Sequence, residues 1–209
     1  MLKNLQKGFT LLELLIVITI LAILTLVVVL FINPVEMLKK ARDVQRMSDM
    51  AVLRTAIVLY LQDRPTNTLG AANCASSASA VAAATSTWQW MSMPSGTLGY
   101  ASSSSANYTN NNGSGWVPVN FASVASSSSP PIAKLPIDPI NTFTTGGATS
   151  TTLYYRYACL TNNTFEIDAT LESEAYVTDD PKASKDCGNS SFRYEVGTNL
   201  NILPAGVLP

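Results

Sequence analysis

The run from Phe9 to Ile32 constrains this chain more than any other stretch. Of its 24 residues only Thr10, Glu13, Thr19 and Thr25 are polar. As a helix with ~1.5 Å rise per residue it is about 36 Å long, enough to cross a bilayer core of roughly 30 Å with some tilt. Glu13 is the single charge. A carboxylate at the centre of a membrane helix costs roughly 2.5–3.5 kcal/mol on insertion scales. Glu13 lies one turn from the start, so two readings stand: it reaches the headgroups, or it meets a cationic partner.

Residues 1–8 precede the run with Lys3, Lys7 and no acid, the positive flank expected on the cytoplasmic side. A Sec-type signal would be cut after the apolar region. Here Asn33-Pro34 closes the run and no small-residue site follows. Removing the leader takes away two lysines and moves the net charge from −1 to −3. Neither value suggests nucleic-acid binding by bulk charge.

Lys7-Gly8-Phe9-Thr10-Leu11-Leu12-Glu13 before an unbroken apolar run resembles the class III signal of type IV pilins and pseudopilins. The resemblance is specific over residues 1–32 and looser over 33–62. It implies cleavage after Gly8 by a prepilin peptidase, N-methylation of the new terminus at Phe9, and a role for Glu13 in assembly. It also implies an α+β pilin fold, with a long N-terminal helix packed on a small antiparallel β-sheet. The partners implied are copies of the same chain in a helical filament, the cytoplasmic membrane, and an assembly platform with its ATPase. The head would lie outside the cytoplasm, and the filament in the envelope or outside the cell.

The chemistry of the motif has its own logic. Cleavage would leave an α-ammonium at Phe9, and methylation keeps it cationic. Helices packed side by side with an axial shift would bring that amine near a neighbour's Glu13. Breaking such a buried pair is costly, because one charge is left unpaired. The pair would therefore set register.

Pro34 predicts a kink or local melting near 30–34, since its ring clashes with the Leu30 carbonyl. Residues 33–64 read as a second, amphipathic helix ending at Arg64-Pro65. Val35, Leu38, Ala41, Val44, Met47, Ala51, Ile57 and Leu61 recur near helical spacing as its core-facing side. Glu36, Lys39, Lys40, Arg42, Asp43, Arg46, Asp49 and Arg54 form a charged side, read as solvated. A DNA-binding stripe is the alternative, and only Tyr60 supplies aromatic interleaving. No direct nucleic-acid binding is expected.

Residues 65–129 are rich in Ala, Ser, Thr and Asn, with few residues that could build a core. They read as a variable surface loop, pinned to a sheet by Trp88, Trp90 and Trp116, with a short helix over 80–90. Asn-x-Ser/Thr triplets at Asn107, Asn112, Asn162 and Asn189 are common in such sequence. The segment 130–209 is the sheet and C-terminal loop. Thr152–Leu160 and Thr164–Leu171 form a hairpin about Asn162-Asn163, and a third strand is expected at Phe192–Val196. Leu135-Pro136-Ile137-Asp138-Pro139 before the Tyr-rich strand resembles the major pseudopilins of type II secretion.

Three cysteines allow one disulfide in an oxidising compartment, and Cys159 with Cys187 is the expected pair, leaving Cys74 odd. There is no histidine, no P-loop, no CxxC and no GxGxxG before a helix. No catalytic constellation is visible, and the chain reads as a structural subunit rather than an enzyme. No cofactor is called for, calcium excepted. Asp179, Asp180 and Asp186 have two readings: a calcium site, as in the C-terminal loops of some pseudopilins, or a solvated acidic loop. The functional expectation is a subunit of a type IV pilus-like filament. A pseudopilin of a type II secretion or DNA-uptake machine is the alternative. A membrane-anchored binding protein that never assembles is the alternative of another class.

Overall fold

The computed structural model describes residues 8–63, 69, 74–81, 88–93, 107–124, 129–141 and 153–205. The expected leader, the Arg64-Pro65 stop and most of the serine runs lie outside them. The chain divides into two compact units, Met1–Lys39 and Lys40–Pro209.

Helix α1 spans Leu11–Ile32 and helix α2 spans Pro34–Asp63. Between them Asn33 adopts a left-handed conformation, φ 43° and ψ 75°. Asparagine tolerates that region better than other side chains. The kink or local melting expected near 30–34 takes the form of an interruption of the helix at Asn33. Asn33 ends α1, and its carbonyl accepts from the Glu36 and Met37 N–H groups at 3.1 and 3.3 Å to start α2. Pro34 then stands at the first helical position, where its missing N–H is no loss.

In the second unit α2 lies on a four-stranded antiparallel sheet of order β1-β2-β3-β4. The strands are β1 Trp90–Met91, β2 Tyr155–Cys159, β3 Phe165–Thr170 and β4 Arg193–Gly197. The α+β class expected from the sequence is thus the observed one. β2 and β3 form the expected hairpin, with Tyr157 opposite Ile167. β4 pairs Glu195 with Asp168 and Val196 with Ile167.

The side of α2 that meets the sheet differs from the expected one. Met50, Leu53, Ala56, Ile57 and Tyr60 pack on Tyr155, Tyr157, Phe165, Ile167 and Ala169. Burial of Met50, Leu53, Ile57, Phe165 and Ile167 contributes roughly 1.5–3 kcal/mol each. Of the predicted core-facing set only Ile57 is fully buried; Val35, Leu38, Ala41, Val44 and Ala51 are exposed. Asp43 and Arg46, predicted to be solvated, are instead completely buried. The reason is tertiary. The Arg46 guanidinium is surrounded by carboxylates from three segments: Asp138 at 2.6 and 3.0 Å, Asp43 at 2.7 Å and Glu172 at 2.8 Å.

The stretch 65–129 also does more than expected. Its described residues include Cys74, Trp116, Val117, Val119 and Phe121 in the main core. Trp116 is fully buried, and its indole N–H donates to the Pro136 carbonyl at 2.9 Å. Gly115 permits this approach: a Cβ there would lie 2.0 Å from the Asn110 carbonyl oxygen. Trp90 lies in β1 rather than in a helix, and the short helix α3 is Ala78–Val81.

The expected Cys159–Cys187 bridge does not form. Cys74 bonds Cys159, with Cα atoms 4.8 Å apart, and Cys187 is a free, exposed thiol. The backbone explains the choice. Ala75 N–H donates to the Cys159 carbonyl at 2.9 Å, so the 74–75 segment runs along the end of β2. Cys187 precedes β4, two strands from β2. At ~4.8 Å per strand that separation exceeds the reach of a disulfide, about 7 Å between Cα atoms.

Candidate functional site

The amino-terminal segment is built by a cap and a run. The Thr10 backbone is extended, φ −82° and ψ 149°, and its hydroxyl accepts the Glu13 N–H at 3.2 Å. Leu14 N–H donates to the Thr10 carbonyl at 3.2 Å, the first bond of the helix. Gly8 and Phe9 therefore precede the helix in open backbone. Phe9 is 82% exposed, and a Cβ on Gly8 would meet nothing within 4 Å. Glu13 sits in the first turn, where a carboxylate is favoured by the helix dipole. The signal Thr-x-x-Glu before an apolar run marks Thr10 as a cap, a role the motif alone leaves unremarked.

From Leu11 to Val29 the helix is long and apolar enough to cross a membrane, and none of it is buried against the rest of the protein. It is apolar all round, as helices surrounded by lipid or by other helices are. Its two inner polar residues satisfy themselves. Thr19 and Thr25 hydroxyls donate to the Ile16 and Leu21 carbonyls, each at 2.8 Å. No hydroxyl is left to seek a partner in an apolar surrounding.

The second unit holds two buried charge clusters. The first is the Arg46 network. Burial opposes the Arg46 charge, but Asp138, Glu172 and Asp43 outweigh it and raise its pKa above the ordinary arginine value. Glu172 is held below the usual carboxylate range: burial opposes this, and Arg42 and Arg46 prevail. Asp138 also accepts the Ile140 and Asn141 N–H groups at 2.9 and 3.2 Å. The aspartate of the Leu-Pro-x-Asp-Pro segment is thus a strut between α2 and the turn before β2.

The second cluster lies on the face of the sheet away from α2. The alternation in β3 suggests one solvated face, yet Glu166 and Asp168 are fully buried. Asp168 pairs with Arg156 and with Arg193, the latter at 2.8 Å. The C-terminal segment covers this face. Glu166 accepts the Ile202 and Leu203 N–H groups at 2.6 and 2.9 Å, and Ser190 donates to the Ala205 carbonyl at 2.9 Å. Burial, then contact with Glu195, pushes the Glu166 carboxyl up to about 9. Two arginines, Asp168 and a Glu166–Glu195 pair holding one proton make a neutral set.

Asp179, Asp180 and Asp186 are not brought together. Among the described residues the carboxylate trio whose oxygens lie within 4.8 Å of one another is Glu166, Asp168 and Glu195. Asp180 bonds Lys182 and Lys185, which hold its carboxyl down at about 2. Asp186 accepts the Gly188 N–H at 2.9 Å and the Glu195 N–H at 2.7 Å, so it caps the open edge of β4. These partners are cations and backbone donors, the groups that otherwise compete with a bound cation for carboxylate oxygens.

Residues 3–29 match the family model of the prokaryotic N-terminal methylation motif. No curated protein and no solved structure matches the chain. The amino-terminal segment is therefore a prepilin signal of the type IV pilin and pseudopilin kind. It fits processing by a prepilin peptidase and anchoring in a membrane through a single apolar helix.

Proposed function

We propose that the chain is a structural subunit of a type IV pilus-like filament. The leader is cut after Gly8 and Phe9 is methylated. The subunit waits in the cytoplasmic membrane, head outward, until an ATP-driven platform extracts it into the filament. The Phe9 amine of one copy and Glu13 of another set the axial step.

One observation carries this reading: a prepilin signal opens a helix whose stretch Leu11–Val29 is buried against none of the described residues of its own chain. In the membrane lipid covers it; after extraction only other such helices can. The outer side of α2 supports the same packing, because Ala41, Val44, Ser48, Ala51, Val52, Thr55 and Leu59 are all exposed and none is charged. A pseudopilin of a secretion machine is the second reading, favoured by the Leu135–Pro139 segment and the role of Asp138 within it.

Replacement of Glu13 by leucine tests assembly. The variant is expected to accumulate in the membrane with its leader removed and to yield no filaments by electron microscopy. A non-assembling anchor would tolerate the change, and filaments at the parental level would sink the proposal.

A further inference from the structure

The second unit carries an apolar groove of about 360 Å³ that the filament reading leaves unused. Leu171, Tyr176, Val177, Pro181, Ala183 and Phe192 line it. Two of these are held out of the core: Phe192 is 68% exposed and Val177 52%. Two lysines flank its aromatic wall. Lys40 Nζ and Lys182 Nζ each lie 5.6 Å from the Tyr176 ring centroid. Lys182 and Lys185 share Asp180, so that trio keeps one positive charge. Lys40 makes no ion pair among the described residues. Glu174 and Asp179, exposed on the same turn, bring the patch near neutrality.

An exposed phenylalanine and valine beside a tyrosine flanked by lysines is the set of groups that membrane interfaces favour. Aromatic rings sit at headgroup level and lysine ammoniums reach the phosphates. Near-neutral charge suits apolar insertion among phospholipids rather than adsorption by charge alone. Continuity with the membrane contact of α1 identifies the occupant. Val29 ends the membrane-spanning stretch, and Lys40 follows eleven residues later. Even fully extended, that linker reaches only about 40 Å. The lipid surface is thus held near the groove at high effective concentration, and weak affinity is enough to engage it.

We propose that this groove rests on the headgroup–acyl boundary of the membrane while the subunit awaits assembly. Phe192 and Val177 enter the acyl edge, and Lys40 and Lys182 contact lipid phosphates. The inference rests on the membrane-anchored stage of the proposed function and adds a contact that must be released on extraction.

The test is site-specific photocrosslinking of the full chain in native membranes and in phospholipid vesicles. Benzoyl-phenylalanine replaces Phe192 in one variant, Val177 in a second, and Ile140, an exposed residue outside the groove, in a third. Mass spectrometry of the irradiated peptides is expected to find phospholipid adducts at 192 and 177, several-fold above those at 140. Lys40→Glu combined with Lys182→Glu should lower the yield at 192 several-fold. Equal labelling at all three positions, absence of lipid adducts, or adducts only to a second copy would overturn the proposal. The N-terminal peptide is read in the same digest. A Phe9 terminus without lipid adducts refutes the groove contact alone, whereas an intact Met1 terminus refutes the pilin pathway.

Discussion

Helix α1 and the head solve opposite problems. From Leu11 to Val29 α1 buries no side chain and satisfies its inner hydroxyls within itself; such a helix is complete only in the company of lipid or of other helices. The head buries both faces of its sheet, one under the apolar side of α2 and the other under the C-terminal segment with five ionisable side chains inside. What α1 does depends on what surrounds it. What the head does depends on partners supplied by its own distant segments. The two regions should therefore fail independently.

Removal of the Cys74–Cys159 bridge should have the largest effect. It closes a loop of separation 85, and chain entropy puts its contribution at roughly 4–5 kcal/mol. Cys74→Ser should lower the head's denaturant midpoint accordingly, yet leave cleavage after Gly8 unchanged on immunoblots of whole cells. Loss of cleavage in this variant would show that the peptidase reads the head as well as the signal.

Arg46→Ala comes next. It leaves Asp43 and Asp138 buried without their cation, a change that typically costs about 3–5 kcal/mol. Arg46→Met with Asp43→Ala and Asp138→Ala should recover part of the loss, measured by the same melts. If Arg46→Ala alone is neutral, the network is not closed to solvent.

The pH dependence is smaller and runs in two directions. The Glu166 carboxyl is raised in the folded head to about 9. Its stabilisation is full below the ordinary glutamate range and is lost progressively as pH rises to about 9, because over that interval the folded state holds a proton that the unfolded chain has released. Glu172 is lowered, so its contribution is present above the ordinary range and is lost as pH falls through it. From these two groups the head's melting temperature should thus be highest near the ordinary glutamate range and decline both as pH falls below that range and as it rises from there to about 9. Glu166→Gln should flatten the alkaline limb and leave the acid limb as it was; an unchanged alkaline limb would remove the shared proton from the account.

The smallest effect should come from Cys187→Ser. Cys187 is exposed and bonded to nothing, so stability should move by no more than about 0.5 kcal/mol. A larger loss would point to a bridge between copies and would blur the division between a self-contained head and a helix that takes its partners from outside.

The same contrast explains what was legible in the sequence. The signal at Gly8, Phe9 and Glu13 acts in linear order, and the strands of the hairpin follow from local alternation and a turn. The face of α2 is not legible, because a period near 3.6 locates a helix but does not say which stripe meets the core. Val44 and Ala51 fit the pattern as well as the buried Met50 and Leu53 do; Asp138 and Glu172, some 90 and more residues away, decide that Arg46 turns inward. The disulfide pairing is hidden for a related reason. Cys187 is nearer to Cys159 in sequence, but it precedes β4, which β3 separates from β2, and nothing local to Cys74 announces that its segment runs along β2. In β3 the alternation of Phe165, Ile167 and Ala169 with Glu166 and Asp168 reads as a half-solvated strand, because the cover comes from residues 200–205.

The most direct test of the central claim is mass spectrometry of the N-terminal peptide from native material. The account predicts a peptide beginning at Phe9 and heavier by one methyl group. A chain that retains Met1, or one cut after the apolar run, would contradict it.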